Sequence, residues 1–286
     1  MSTYLLLGGT GKTGRRLATQ LETAGHEVRV ASRNPAAGGV RFDWDDPGTH
    51  GPALTGADGV WVVPPAFRLD HAPQVGALVE KARAAGVARV VVLSARGGNL
   101  DPSSPLARME AAVVASGASY TIIRPTWFMQ NFTEAFFAPD ILERGVIAAP
   151  TGDGAVPFID TEDIAAVAAA ALTEDGHDGE SYDISGPRAL SFAEAAETLS
   201  DHAGRLVRHE DPGVEAWTAG AVRGGVPADY AGLLAMLFGV IRDWHDAALS
   251  DGVQRALGRE PATFEAWAAR EAGTLAGHDL GSARAA

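Results

Sequence analysis

The stretch Gly8-Gly9-Thr10-Gly11-Lys12-Thr13-Gly14 restricts the fold more than any other part of the chain. Before it stands Leu5-Leu6-Leu7, a short apolar run suited to a buried strand. After it, Arg15 to Ala24 carries Leu17, Ala18, Leu21 and Ala24 at helical spacing. Gly9, Gly11 and Gly14 fit G-x-G-x-x-G, while Gly8, Gly11 and Gly14 fit G-x-x-G-x-x-G. Glycines allow a tight turn in which backbone N–H groups reach a pyrophosphate, and the helix behind adds partial positive charge. The flanking strand and helix separate this reading from a plain glycine-rich turn. Gly11-Lys12-Thr13 also ends like a nucleoside-triphosphate loop. That loop needs a glycine five residues before Gly11, where the chain has Leu6 inside the strand. The expected phosphate contacts are therefore those of a dinucleotide, from Gly8, Thr10, Gly11, Lys12, Thr13 and Gly14.

Strands and helices alternate through the first half. Strands are expected at Glu27–Ser32, Val40–Phe42, Val60–Val63, Val90–Leu93 and Tyr120–Ile123. Helices are expected at Pro73–Ala85 and Leu106–Ala115. The strands are near-continuous runs of Val, Leu and Ile, which suits a parallel sheet covered on both faces. In the second half, Asp160-Thr161-Glu162-Asp163 opens a helix running to Leu172, capped by Asp160 or Thr161, and Tyr182–Ile184 reads as one more strand. Ser191-Phe192-Ala193-Glu194 is a capping box. Helical patterning follows from Pro227 and again over Ala262–Glu271. The fold class is α/β: a Rossmann-like, doubly wound parallel sheet with a smaller, mostly helical C-terminal substrate-binding part. The expected organisation is a dinucleotide-binding domain over 1–160, an interlocked substrate-side subdomain over 161–276, and a frayed tail over 277–286.

The residue at the end of the second strand selects the dinucleotide. NAD binders place an acid there for the ribose hydroxyls. This chain has Ser32-Arg33-Asn34, and a guanidinium pairs with the 2′-phosphate of NADP(H). Asp43, after the third strand, is the candidate to meet adenine. The chain has no cysteine, which removes disulfides, thiolate metal sites and cysteine nucleophiles. Its eight histidines are scattered without metal-ligand spacing, so no metal site is expected. The net charge of -13 argues against a nucleic-acid grip and would suit a cationic small molecule. No apolar stretch approaches the roughly 20 residues of a membrane span, and no signal segment opens the chain; a cytoplasmic location with no membrane partner is expected. The oligomeric state is left open.

Many reductases of this architecture carry Tyr-x-x-x-Lys after the fifth strand, with the tyrosine as proton donor. Here the only lysines are Lys12 and Lys81, and no tyrosine lies between Ser94 and Glu110. Reducing a carbonyl benefits from a positioned acid. Reducing an iminium ion needs only hydride, because the acceptor is already positive. Quinones and conjugated enones are milder cases of the same kind.

Together these residues resemble the NmrA-like branch of atypical short-chain dehydrogenases/reductases, and within it the festuclavine/agroclavine dehydrogenase type. Leu7 to Gly14, Ala31-Ser32-Arg33, Trp61 to Pro65, Val92 to Ala95, Ile123 to Phe132, Asp163-Ile164-Ala165 and Gly258 to Pro261 carry the branch. Phe42-Asp43-Trp44, Thr151 to Gly154 and Pro227 to Tyr230 carry the type. The resemblance runs from about Leu5 to Trp267 and implies NADPH-dependent reduction of a cyclic iminium. It implies that Pro64, Pro65, Ser94 and Ala95 line the cofactor, and that Trp127, Met129, Asn131 and Tyr230 face the substrate. Leu106 stands where some members keep a lysine, so no catalytic residue is assigned; Ser94, Glu110 and Asn131 are the candidates. Trp127 and Met129 are equally well read as core, and Glu110 as a helix-surface acid. Two other functions stay open: a non-catalytic NADP-sensing regulator of the NmrA kind, and an NADPH-dependent quinone reductase.

Overall fold

The structure, a computed structural model, describes residues 1–97, 101–134 and 136–276. The expected frayed tail over 277–286 lies outside the described residues. Strand β1 (Thr3–Leu7) is followed by helix α1 (Lys12–Thr23), β2 (Glu27–Ser32), β3 (Val40–Arg41), α2 (His50–Leu54), β4 (Gly59–Val62), α3 (Ala72–Ala84), β5 (Arg89–Leu93), α4 (Pro105–Ala115) and β6 (Tyr120–Pro125). A 3-10 turn (Met129–Phe132) leads to α5 (Ala138–Arg144), β7 (Val146–Ala148), β8 (Ala155–Val156), α6 (Thr161–Thr173) and β9 (Ser181–Ile184). The remainder holds β10 (Leu190–Ser191), α7 (Phe192–Ala203), β11 (Arg208–Glu210), α8 (Val214–Arg223), α9 (Ala228–Arg242), α10 (Gly252–Leu257), α11 (Phe264–Arg270) and α12 (Ala272–Leu275).

Seven strands form one sheet in the order β3-β2-β1-β4-β5-β6-β9, and every pair is parallel. The chain runs outward from β1 in one direction and then from β4 in the other. The sheet therefore has a topological switch point between β1 and β4, where open α/β sheets bind ligands beyond the strand C-termini. Leu5, Leu7, Val60, Val62, Val90 and Val92 pack with Val75, Leu78, Val79, Met109 and Val113 of α3 and α4. Leu6, Trp61 and Val91 alternate with them and are equally buried. Burial on both faces is why these strands read as unbroken apolar runs.

The residues fall into two compact units. The first comprises Met1–Pro125, Thr161–Ile184 and Asp251–Arg259, and the second Thr126–Asp160, Ser185–Ser250 and the chain from Glu260 onward. The sequence suggests one boundary after residue 160; the chain instead returns twice to the first unit. The first return supplies α6 and β9. Nine of the 13 residues of α6 are buried, so its alanines let it pack against α1 and the sheet. The second return, α10, is pinned at three points. Arg259 pairs with the buried Asp163 at 2.7 Å, Arg255 pairs with Glu180 at 2.7 Å, and the Arg255 guanidinium lies 5.2 Å from the Tyr182 ring centre.

The second unit has its own core, in which Phe132, Phe158, Phe192, Phe264 and Trp267 meet at centroid distances of 5.0 to 6.2 Å. Its strands form two small sheets, β8 with β10 antiparallel and β7 with β11 parallel. The Ser191–Glu194 capping box forms as expected at α7. Asp160 is buried, accepting from Gln130 at 2.7 Å and pairing with Arg270 at 2.5 Å. Among the described residues, no helix is long and apolar enough to cross a membrane.

A Cβ at Gly252 would lie 2.2 Å from the Asp183 carbonyl oxygen, whereas one at Gly232 meets nothing within 4 Å. Gly252→Ala is expected to cost about 1–3 kcal/mol or more in urea unfolding, by overpacking α10 against β9. Gly232→Ala, inside α9, should be neutral or stabilising by up to about 1 kcal/mol. Equal effects of the two would show that the second return does not hold the first unit together.

Candidate functional site

The glycines of the phosphate loop are required for three different reasons. Gly8 has φ +74°, a left-handed conformation that costs a side chain energy. A Cβ on Gly9 would lie 2.8 Å from Val30 Cγ1, and one on Gly14 would lie 2.3 Å from the Gly8 carbonyl oxygen and 2.6 Å from Gly9 Cα. The Gly11 amide donates to the Gly8 carbonyl at 2.9 Å, closing the turn. Helix α1 then starts at Lys12 with no side-chain cap and no acid in its first turn. The positive end of the helix dipole at such a start suits an anion. Thr10 and Gly11 are exposed, Lys12 is half-buried and Thr13 is buried.

The loop lies at the switch point. A Cβ on Gly8 would sit 3.1 Å from Val63 Cβ, which sets the half-buried Pro64 and Pro65 next to it in the chain beyond β4. On the other flank β2 ends at half-buried Ser32, whose carbonyl accepts from Phe42 at 2.9 Å. Arg33 follows, exposed, with no ion-pair partner among the described residues. Asp43 is half-buried and fixed by its surroundings. Its carboxylate accepts from the Asp45 amide at 3.0 Å, its amide donates to Thr49 Oγ1 at 3.0 Å, and its carbonyl accepts from His50 Nε2 at 2.9 Å. His50 stacks on Phe42 at 4.7 Å, and Arg68 pairs with Asp45 at 2.6 Å. Thr49 and His50 were not singled out in the sequence; the turn-forming run Asp45-Asp46-Pro47-Gly48 before them was the available signal.

At the end of β5, Ser94 belongs to a buried polar chain. Its Oγ donates to Glu110 Oε1 at 2.6 Å. Arg124 of β6 donates from Nε to both Glu110 oxygens, at 2.9 and 3.1 Å, and from Nη2 to Oε2 at 2.6 Å. Its Nη1 lies 3.6 Å from Asp183 Oδ2 on β9. Ser94, Glu110 and Arg124 are all buried. The hydrogen bonds from Arg124 to Glu110 push the guanidinium further above its ordinary range, with burial acting the other way. Glu110, read from sequence as a helix-surface acid or a catalytic candidate, is thus an interior ion-pair partner. Ala95 beside Ser94 is half-buried. Neither the partnership nor Arg124's part in it is visible from spacing, since the three residues come from three elements.

The four residues expected to face substrate all lie in the second unit. Trp127 is half-buried, stacked on Phe238 at 4.9 Å and edge-on to the exposed Phe136 at 6.0 Å. Trp217, also missed in the sequence, meets Phe238 edge-on at 4.8 Å. Asn131 is half-buried. Tyr230 is half-buried, and burial pushes its phenol above the ordinary value. Met129 is the exception, being fully buried in the core. The 3-10 turn directs it inward, and its amide donates to the Ile159 carbonyl at 2.9 Å. It is a packing residue.

A family model described as NAD(P)H-binding matches residues 8–175. The chain belongs to that NAD(P)H-binding family. Three relatives match along almost their whole length. They are an uncharacterised oxidoreductase, YesF, of Bacillus subtilis (35% identical, 94% of each chain), an NAD(P)H azoreductase of Xenophilus azovorans (34%, 92% of this chain and 96% of the relative) and an agroclavine dehydrogenase of Claviceps fusiformis (34%, 92% and 94%). The fold is shared with the Escherichia coli quinone oxidoreductase QOR2 solved with NADPH (TM-score 0.78, 24% identical, 93% of this chain and 99% of that one). It is shared too with the negative transcriptional regulator NmrA (TM-score 0.73, 16% identical, 94% of each).

The family binds NAD(P)H, and the first unit fits such a dinucleotide. The approach of Gly14 to Gly8 leaves a side-chain-free cradle at an uncapped helix start, which suits the pyrophosphate. Arg33 suits the 2′-phosphate.

Arg33→Ala is expected to weaken NADPH binding about 10- to 100-fold, the worth of charged hydrogen bonds, while NADH affinity stays unchanged. Calorimetric titration with both nucleotides checks this, and equal losses would contradict it. His71 gives a pH expectation. Burial pushes its imidazole below the ordinary value, outweighing the Arg68 carbonyl that accepts from Nδ1 and the nearby Asp70 charge. Its folded state therefore resists protonation more than its unfolded state does. Stability should be complete above the unfolded value of about 6.5 and decline as pH falls below it. The variant His71→Gln should lack that part of the decline in urea melts across the range.

Proposed function

We propose that the protein reduces an iminium, imine or similarly activated double bond of a small molecule at the expense of NADPH. The observation that carries this reading is the commitment of the Ser94 hydrogen to Glu110 at 2.6 Å. A ketone reductase needs a hydroxyl whose proton is free to follow the hydride. Here the hydroxyl at the end of β5 spends its proton on an interior carboxylate held by Arg124. An acceptor that is already positive removes the need for an acid, leaving binding and alignment as the protein's task.

Bound NADPH supplies the hydride. The turn at Gly8–Gly11 and the start of α1 hold its diphosphate, and Arg33 holds its 2′-phosphate. Pro64, Pro65 and Ala95 restrict it at the strand ends. In the second unit Trp127, Phe136 and Trp217 offer aromatic faces, which attract flat apolar molecules and cations. A net charge of -13 favours the approach of a cation. The relatives are named for molecules as different as an azo compound and agroclavine, in keeping with a site that depends on alignment more than on a dedicated acid.

The test is NADPH oxidation with a panel of cyclic imines, N-alkylated iminium ions, quinones and ketones of matched shape. Iminium ions should be reduced at a rate independent of pH, and imines faster as pH falls and protonates them. Matched ketones should be slower by about 100-fold or more, the contribution of a missing general acid. Ketone turnover at the iminium rate would refute the proposal. Tight NADPH binding with no turnover of any acceptor would point to a sensor of the dinucleotide.

A further inference from the structure

The Ser94–Glu110–Arg124 chain does more than leave out an acid: it fixes the polarity of Ser94. A hydroxyl has one hydrogen, and that of Ser94 is directed to Glu110 Oε1. Arg124 cannot give up its proton, and it donates to both oxygens of Glu110, so the carboxylate remains an acceptor. Ser94 Oγ therefore has only lone pairs left to present. The Ser94 amide is also fixed, donating to the Ile123 carbonyl at 2.8 Å.

Sheet order sets what reaches those lone pairs. The diphosphate cradle stands at β1, and Arg33 marks the adenosine side on β2. The other half of the dinucleotide must extend over β4 and β5. Ser94 ends β5, two strand spacings or about 10 Å from β1, in the region of the nicotinamide riboside. Two donors are available there, the ribose hydroxyls and the carboxamide amino group. A hydroxyl adapts to either polarity, whereas the amino group only donates. Burying an ion pair is costly, and doing so to lock one hydroxyl as an acceptor suits a partner of fixed polarity.

We propose that Ser94 accepts a hydrogen bond from the nicotinamide carboxamide amino group, and that Glu110 and Arg124 are positioning residues that hold Ser94 in that role. The carboxamide then fixes the rotation of the ring and hence the face it presents. The inference rests on the NADP(H) site described above, not on the identity of the acceptor.

The test needs no substrate. The full chain is titrated with NADP⁺ and with its 3-acetylpyridine analogue, in which methyl replaces the amino group. The wild type should prefer NADP⁺ by about tenfold, the worth of one hydrogen bond. Ser94→Ala should bring that ratio close to one, and Ser94→Thr should restore it. Glu110→Gln, which frees the Ser94 hydrogen, should also collapse the ratio while Ser94 remains in place. Ser94→Ala removes a single oxygen and decides the matter alone if Glu110→Gln melts the fold. A ratio unchanged in Ser94→Ala overturns the proposal. So does a variant that weakens both nucleotides equally, as a merely structural role would. A collapsed ratio beside an enzyme inert toward imines would uphold this inference and reject the reductase reading.

Discussion

A Cβ atom at position 14 would sit 2.3 Å from the carbonyl oxygen of Gly8, nearer than such atoms can approach. Helix α1 reaches the end of β1 only because that atom is missing. The close approach keeps the leading amides of the helix at the switch point of the sheet, where the strand order turns. Arg33 on one side and Ser94 on the other are placed relative to that point by strand pairing alone. With a wider gap between α1 and β1, the nucleotide would lose its anchor while the sheet itself remained intact.

The second constraint is electrostatic. Glu110 and Arg124 are taken out of water together, which is tolerable because three donor–acceptor contacts and the Ser94 hydroxyl satisfy the carboxylate. Such pairs rarely add net stability compared with apolar packing, but they impose direction. This one sets the donor sense of a hydroxyl at the mouth of the sheet. The chemistry proposed above follows from that sense, and it accords with the lack of a Tyr-x-x-x-Lys pair in the sequence.

Features encoded by neighbouring residues were legible before the structure. The glycine loop, the alternating strands and helices, the capping box at Ser191 and the basic residue after β2 each depend on a few adjacent positions. Features that join distant positions were not. Glu110 lies 16 residues from Ser94 and 14 from Arg124, on a different element from each, so spacing could not pair them. The sequence leaves Met129 between pocket and core, because a 3-10 turn has no period long enough to show which side faces inward. Helix α8 is hard to read because its apolar stripe is thin, only Val214, Trp217 and Ala221, and none of its residues is fully buried. The return of Asp251–Arg259 was hidden for a similar reason: six helical residues are too few to show a periodicity.

That return has a consequence for biosynthesis. Translation delivers residues in order, yet the strand-and-helix unit that grips the nucleotide takes one of its pieces from beyond residue 250, after most of the second unit. A nascent chain still short of Arg259 has β9 without the helix that packs on it and Asp163 without its cation. The nucleotide-binding unit is therefore finished only after Arg259 has left the ribosome, and nucleotide captured earlier meets an incompletely closed framework.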